Sequence, residues 1–208
     1  MASWYERHIV PRLIRCACGC RALDEHRSQI VPQASGDVLE IGIGAGANLP
    51  FYDRSRINRI SAIEPSDELR AIASAAAARS GISAELSAAV GEELPYENAS
   101  FDSILCTYTL CSVLDVAQTL TEARRVLKPG GQFLFCEHGL APNPRVARWQ
   151  RRVEPFWKPL AGGCHLTRPG RGNIESYFRI ADRDSGFLPK TPRFAGWMEW
   201  GDRKSTRL

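Results

Sequence analysis

No stretch of this 208-residue chain is long and apolar enough to span a bilayer. Its first residues show neither an apolar leader core nor a small-residue cleavage site, so a soluble, cytoplasmic protein is expected. A basic stripe interleaved with aromatics is also missing. The net charge of +4 comes from scattered residues, with local pairs at Arg124-Arg125 and Arg151-Arg152, so nucleic acid is not an expected partner. No Cys/His finger spacing occurs. Cys16, Cys18 and Cys20 alternate, which suits one tetrahedral ion poorly. They read instead as a helix end closed by Gly19, and no metal is expected. Cys106, Cys111 and Cys136 fall in or beside apolar, strand-like segments, where free thiols are commonly buried. Repeats and low-complexity linkers are absent. The length allows one full core and not two.

What is present is an alternation of element types. Residues 3 to 16 carry Trp4, Ile9, Val10, Leu13 and Ile14 on one side, as an amphipathic helix interrupted near Pro11. A second helix is expected from Arg21 to Val31. Strands are then expected at Asp37 to Ile41, Arg59 to Ile63, Ser83 to Val90, Phe101 to Cys106 and Gln132 to Cys136. Between them lie helices at Ser66 to Ser80, with Ser66 as N-cap and Gly81 beyond its end, and at Val116 to Leu127. Such alternation implies a parallel sheet with helices on both faces. Further on, a helix is expected from Val146 to Trp157 and a loop from Ala161 to Gly172. Strands follow at Tyr177 to Ile180 and Arg193 to Trp200, joined through Asp182 to Lys190. The reading is one domain: cap helices over 1–35, a cofactor-binding core over 36–138, and a substrate-side insertion with C-terminal strands over 139–208.

The richest signal is Val38-Leu39-Glu40-Ile41-Gly42-Ile43-Gly44-Ala45-Gly46-Ala47-Asn48. A strand runs straight into three glycines, which tolerate torsions other residues avoid and let a ligand approach the backbone. In an open α/β sheet, ligands bind beyond the carboxyl ends of the strands. Gly42, Gly44 and Ala47 also fit a dinucleotide pattern, and Glu64, at the end of the second strand, suits ribose hydroxyls in either case. Glu40 separates the two. A carboxylate beside the loop repels a diphosphate but suits the cationic end of S-adenosylmethionine (AdoMet).

Glu40-x-Gly42-x-Gly44-x-Gly46, Phe101-Asp102-Ser103-Ile104-Leu105-Cys106 and Leu127-Lys128-Pro129-Gly130-Gly131 resemble, in order and spacing, three motifs of the class I AdoMet-dependent methyltransferases. The resemblance implies a doubly wound α/β fold. Its sheet would be mostly parallel, seven-stranded and Rossmann-like, with an antiparallel C-terminal hairpin. It carries cofactor contacts to Glu40, Gly42, Gly44, Gly46, Asn48, Glu64, Pro65, Gly91, Glu92, Cys106 and Thr107. Where many relatives place an aspartate for adenine, this chain has Ala89-Val90-Gly91-Glu92, which leaves the backbone near Gly91, Glu92, or neither for that contact. A narrower resemblance joins Cys106-Thr107-x-x-Leu110-Cys111-Ser112-Val113, Glu137-His138 and Gly163-Cys164-x-Leu166-Thr167-Arg168 to the mammalian thiol S-methyltransferases and to bacterial methyltransferases of unassigned substrate. The mammalian enzymes carry an N-terminal membrane anchor that is not seen here.

The expected function is methyl transfer to a small-molecule acceptor, a thiol first. Methylation of a lipid or quinone precursor at N or C, with the basic amphipathic N-terminus touching membrane surfaces, stands as an alternative. A non-catalytic AdoMet sensor is another. Oligomeric state is left open. A thiol needs little help to ionise, whereas a phenol or alcohol needs a base. Base candidates are His138, beside Glu137, and His165, with His8 on the N-terminal helix; His138 and His165 are the catalytic choices. Tyr5, Cys111 and Trp149 are expected to border the acceptor, with Trp157 as a further aromatic wall.

Overall fold

A computed structural model describes residues 9–13 and 21–204. Its centre is a seven-stranded sheet: β1 (Gly36–Ile41), β2 (Ile57–Ile63), β3 (Ala84–Ser87), β4 (Phe101–Thr107), β5 (Leu127–His138), β6 (Arg179–Phe187) and β7 (Trp197–Lys204). The spatial order is β3-β2-β1-β4-β5-β7-β6. The first five strands are mutually parallel, and β7 runs antiparallel to both β5 and β6. The order reverses between β1 and β4. Chains leaving these two neighbours depart in opposite directions and open a cleft at their carboxyl ends.

Helices cover both faces. Side chains alternate along each strand, so one strand feeds two cores. Leu39 and Ile41 of β1 pack with Phe101, Ile104, Leu120, Phe133 and Phe135 on one face. Val38, which precedes Leu39 and points the opposite way in the pleat, packs on the other with Ile30, Ile60, Ala73 and Leu134. The helices are α1 (Asp24–Ile30), α2 (Asp67–Ser80), α3 (Val116–Val126), α4 (Pro144–Leu160) and α5 (Gly170–Glu175). Helix α2 begins where Ser66 accepts the N–H of Leu69 and ends at Gly81, which is left-handed at φ 63°. Asp115 and Asn143 cap α3 and α4 in the same way. Among the described residues no helix is long and apolar enough to cross a membrane.

The C-terminal hairpin departs from expectation. β6 occupies Arg179–Phe187, much of the segment expected to be the connection, and the turn falls at residues 188–196. β6 is an edge strand, and Arg-Ile-Ala-Asp-Arg-Asp-Ser-Gly-Phe has no apolar alternation to announce it. The expected third strand also shortens to four residues, because the chain turns after Ser87 to cross the strand ends. Helix α5 forms inside and just after the glycine- and proline-rich stretch read as loop. It leads to Phe178, whose ring stacks on Phe133 at 4.6 Å. The second expected helix is a short α1 between two 3-10 turns, with Pro32 in the second. In the N-terminal segment residues 10–13 form a helical turn.

Candidate active site

A cavity of about 1560 Å³ opens at the carboxyl ends of β1, β2 and β4. That exceeds the roughly 300–1,000 Å³ of a pocket for one small molecule. One half is made mostly of backbone. Gly42, Gly44 and Gly46 all have positive φ, at 74°, 56° and 80°. A Cβ added to Gly44 meets nothing within 4 Å: its backbone borders open space. A Cβ on Gly42 would fall on Thr109, whose hydroxyl donates to the Ile41 carbonyl. Glu64 closes this half. Its carboxylate accepts the N–H groups of Gly44 at 3.1 Å and Ser66 at 3.0 Å, and burial raises its pKa against those bonds. Pro65, Leu69, Val90 and Gly91 continue the wall. A carboxylate beside bare backbone and apolar side chains suits a ligand with vicinal hydroxyls and a flat apolar ring.

Behind the loop lies a buried polar network. Asn48 Nδ2 donates to Glu40 at 2.8 Å and to the Thr107 hydroxyl at 2.9 Å, while its Oδ1 accepts from Arg27 at 3.0 Å. Tyr52 donates to the other Glu40 oxygen at 2.8 Å. The Arg27 guanidinium, 2% exposed, also lies over the Tyr108 ring at 5.0 Å. Tyr108 holds φ 56°, unusual for an aromatic residue, where the chain leaves β4 for the cavity wall. Removing any member strands the others without water, so the network fixes the loop's shape.

The other half is made of side chains. Cys111 lies on the loop after β4, His138 ends β5, and Cys164 follows α4; all three line the cavity. Their ligand atoms lie within 4.8 Å of one another, and His138 Nε2 is 2.7 Å from Cys164 Sγ. Hydrogen bonds from Cys164 and His138 hold the Cys111 thiol well below the usual thiol range. Burial would lower His138, but Cys111, Glu137 and Glu154 outweigh it and raise the imidazole. The loops are tied together: His165 N–H donates to the Cys111 carbonyl at 2.8 Å, and Arg168 donates to the carbonyls of Leu110 and Val113. Trp157, Leu160, Met198 and residues Val10 and Leu13 complete the enclosure.

The structure thus brings Gly42, Gly44, Asn48, Glu64, Pro65, Gly91, Glu92, Thr107, Cys111 and His138 to one cavity. It corrects other expectations. Glu40 is 1% exposed and spent on Asn48 and Tyr52, so it orients the loop from behind and does not face a ligand. Gly46 packs under the loop, where a Cβ would meet Leu49 and Ala76. Cys106 is fully buried, with its thiol directed at Glu137. Glu137 is itself buried away from the cavity, which pushes its pKa to about 8. His165 does not line the cavity; its Nδ1 is 3.1 Å from Glu154. Trp149 is 59% exposed on the outer side of α4, and the inner wall is Trp157, two helical turns later. Both adenine candidates line the cavity, Gly91 by its backbone and Glu92 by a carboxylate whose Oε1 accepts the N–H groups of Leu114 and Asp115. Tyr5, His8 and Cys16, Cys18 and Cys20 lie outside the described residues. Arg27, Tyr52, Tyr108 and Cys164 were not selected from sequence. Cys164 stood inside a quoted motif, but nothing local marks the other three.

Comparison with known proteins agrees with this geometry. Residues 39–135 match the family described as a methyltransferase domain. The chain is 37% identical over 142 residues to thiol S-methyltransferase TMT1B of Rattus norvegicus, covering 66% of this chain and 57% of that protein. It is 36% identical over 141 residues to thiol S-methyltransferase TMT1A of Homo sapiens, covering 66% and 57%. The chain therefore spans somewhat over half the length of these relatives. Among solved structures, a SAM-dependent methyltransferase from Thermotoga maritima superposes with a TM-score of 0.65 at 20% identity, over 98% of both chains. The [4+2]-cyclase SpnF superposes with a TM-score of 0.67 at 18% identity, over 99% of this chain and 84% of that one. These two likenesses speak for the fold alone, since one fold hosts several chemistries. The domain match and the relatives mark residues 39–135 as a methyltransferase domain.

Proposed function

We propose that the protein transfers the methyl group of AdoMet to a small thiol. One observation carries the reading: a single cavity has a backbone-and-carboxylate half at Gly44 and Glu64 and a sulfur-and-imidazole half at Cys111, His138 and Cys164. Relatives at 36–37% identity that are named thiol S-methyltransferases support the acceptor class. AdoMet, when bound, supplies a methyl group on a cationic sulfur. The residues that would hold it are Glu64 at the ribose, Gly42 and Gly44 beside the amino-acid end, and Pro65, Leu69 and Gly91 around the base. What the chain itself does is orient, exclude water and manage a proton. Trp157, Leu160, Val10 and Leu13 shield the reacting end from solvent. His138 lines the acceptor half, where its imidazole favours the deprotonated sulfur.

Steady-state turnover with thiol, amine, phenol and quinol acceptors tests the proposal. Methylation of thiols is the expected result. Methylation of amines or quinols alone would overturn the acceptor class. AdoMet binding with no turnover on any acceptor would make the protein a sensor.

A further inference from the structure

Cys111, His138 and Cys164 are 27 and 26 residues apart, on three elements, yet their ligand atoms converge within 4.8 Å. We infer that they form a zinc site with an open fourth position toward the cavity, where the acceptor thiol binds as a thiolate. The inference rests on the thiol reading above and specifies how that site recognises its substrate.

Chemistry and geometry both support it. Two sulfurs and one imidazole are ligands zinc favours, and three protein ligands with one open position are the pattern of catalytic zinc. Zinc lies about 2.3 Å from sulfur and about 2.0–2.1 Å from nitrogen, which sets tetrahedral ligand atoms roughly 3.5–3.8 Å apart. The three atoms already fall inside 4.8 Å, and the tightest pair, His138 Nε2 and Cys164 Sγ at 2.7 Å, needs to part by only about 0.8 Å. Supporting bonds are in place: Trp157 Nε1 donates to Cys164 Sγ at 3.4 Å, and the Ser112 hydroxyl lies 3.4 Å from Cys111 Sγ. Cys111 and Cys164 are buried, whereas His138 is partly open to the cavity, so a fourth ligand arrives from the same space that borders Gly44.

The consequence is specificity for sulfur. A thiol that coordinates zinc gives up its proton, which passes to solvent. Two cysteine thiolates cancel the charge of the ion, and the third sulfur makes the assembly anionic, opposite in sign to a sulfonium. In the transfer, a lone pair of the acceptor sulfur forms the new C–S bond. The old bond to the sulfonium breaks and leaves its electron pair on the donor sulfur. The product is a neutral thioether, a far weaker zinc ligand than a thiolate, so methylation itself releases it.

Cobalt(II) added to the metal-free full-length protein tests the site, because cobalt reports tetrahedral geometry and thiolate ligation by absorption. The expected result is one cobalt per chain, tetrahedral ligand-field bands and thiolate charge-transfer intensity. That intensity should rise by about half when a thiol acceptor is added, as two thiolates become three. Cys111→Ser and Cys164→Ser should each remove the bands while AdoMet affinity stays within twofold, which shows that the variants are folded. Unchanged cobalt spectra in both variants would overturn the inference. So would a lack of cobalt binding, or a Cys111–Cys164 disulfide found by mass in freshly isolated, active protein. If metal-free protein methylates thiols at the full rate, the thiol reading stands and the zinc site falls. If cobalt binds as described but only amines are methylated, the metal site stands and the thiol reading falls.

Discussion

The two halves of the cavity are built by opposite means. The cofactor half uses backbone torsions and one carboxylate, drawn mostly from the run between β1 and the start of α2, with Val90 and Gly91 added from beyond β3. The acceptor half uses side chains from the loop after β4, the end of β5 and the turn after α4. Backbone recognition needs consecutive residues, because neighbouring torsions shape it. Side-chain recognition needs only that folded elements converge. The first half can therefore lose affinity without losing chemistry, and the second the reverse.

The largest effect that would break this contrast is at Gly44. Gly44→Val should weaken AdoMet by more than about 100-fold, since a branched side chain enters the open space and resists φ 56°. It has nothing to strike within the protein itself, so circular dichroism should show the fold retained. Normal AdoMet binding by a folded variant would remove the loop from the site.

His138→Ala belongs to the other half. It should lower turnover by about 100-fold, because the acceptor half loses the imidazole that favours a deprotonated sulfur, with AdoMet Kd within twofold. A variant that loses AdoMet affinity instead would show the halves to be coupled.

Glu64→Gln sharpens the comparison through pH. Burial raises the Glu64 pKa above its ordinary 4.5, so protonation in the folded protein begins at a higher pH than in free carboxylates. AdoMet affinity should then fall as pH drops toward that raised value and be restored as pH rises. The Gln variant should lose roughly 1.5–3 kcal/mol of binding near neutrality and show no such acid limb in titration calorimetry. Trp149→Ala is the smallest case. Turnover of a soluble thiol should stay within twofold, because the ring points outward.

Legibility in sequence follows the same division. The glycine run and Glu64 could be read because the loop's geometry is local. The parallel core could be read because buried strands are apolar runs bounded by caps such as Ser66 and Gly81. Glu40 was placed correctly in the motif and wrongly toward the ligand: sequence shows a charge beside a loop but not which side of it the carboxylate takes. What decides that is Arg27 and Asn48, 21 residues apart and meeting only in the fold. β6 was missed because an edge strand needs no apolar alternation. Trp157 continues the stripe of Val146, Gln150 and Val153 at helical spacing and Trp149 falls off it, so the periodicity of the helix favours Trp157 as the inner wall.

The cavity wall runs from Val10 to Met198 and draws on β1, β2, β4, β5 and β7 and on helices α1, α2 and α4. A bound molecule therefore acts as a crosslink between distant parts of the chain, and local opening anywhere along the wall releases it. By mass action, a ligand present at a hundred times its Kd adds about 2.7 kcal/mol to the stability of the folded state. Thermal midpoint and protease lifetime of the whole protein are thus expected to rise and fall with cofactor concentration, so that the folded population tracks methyl-donor supply.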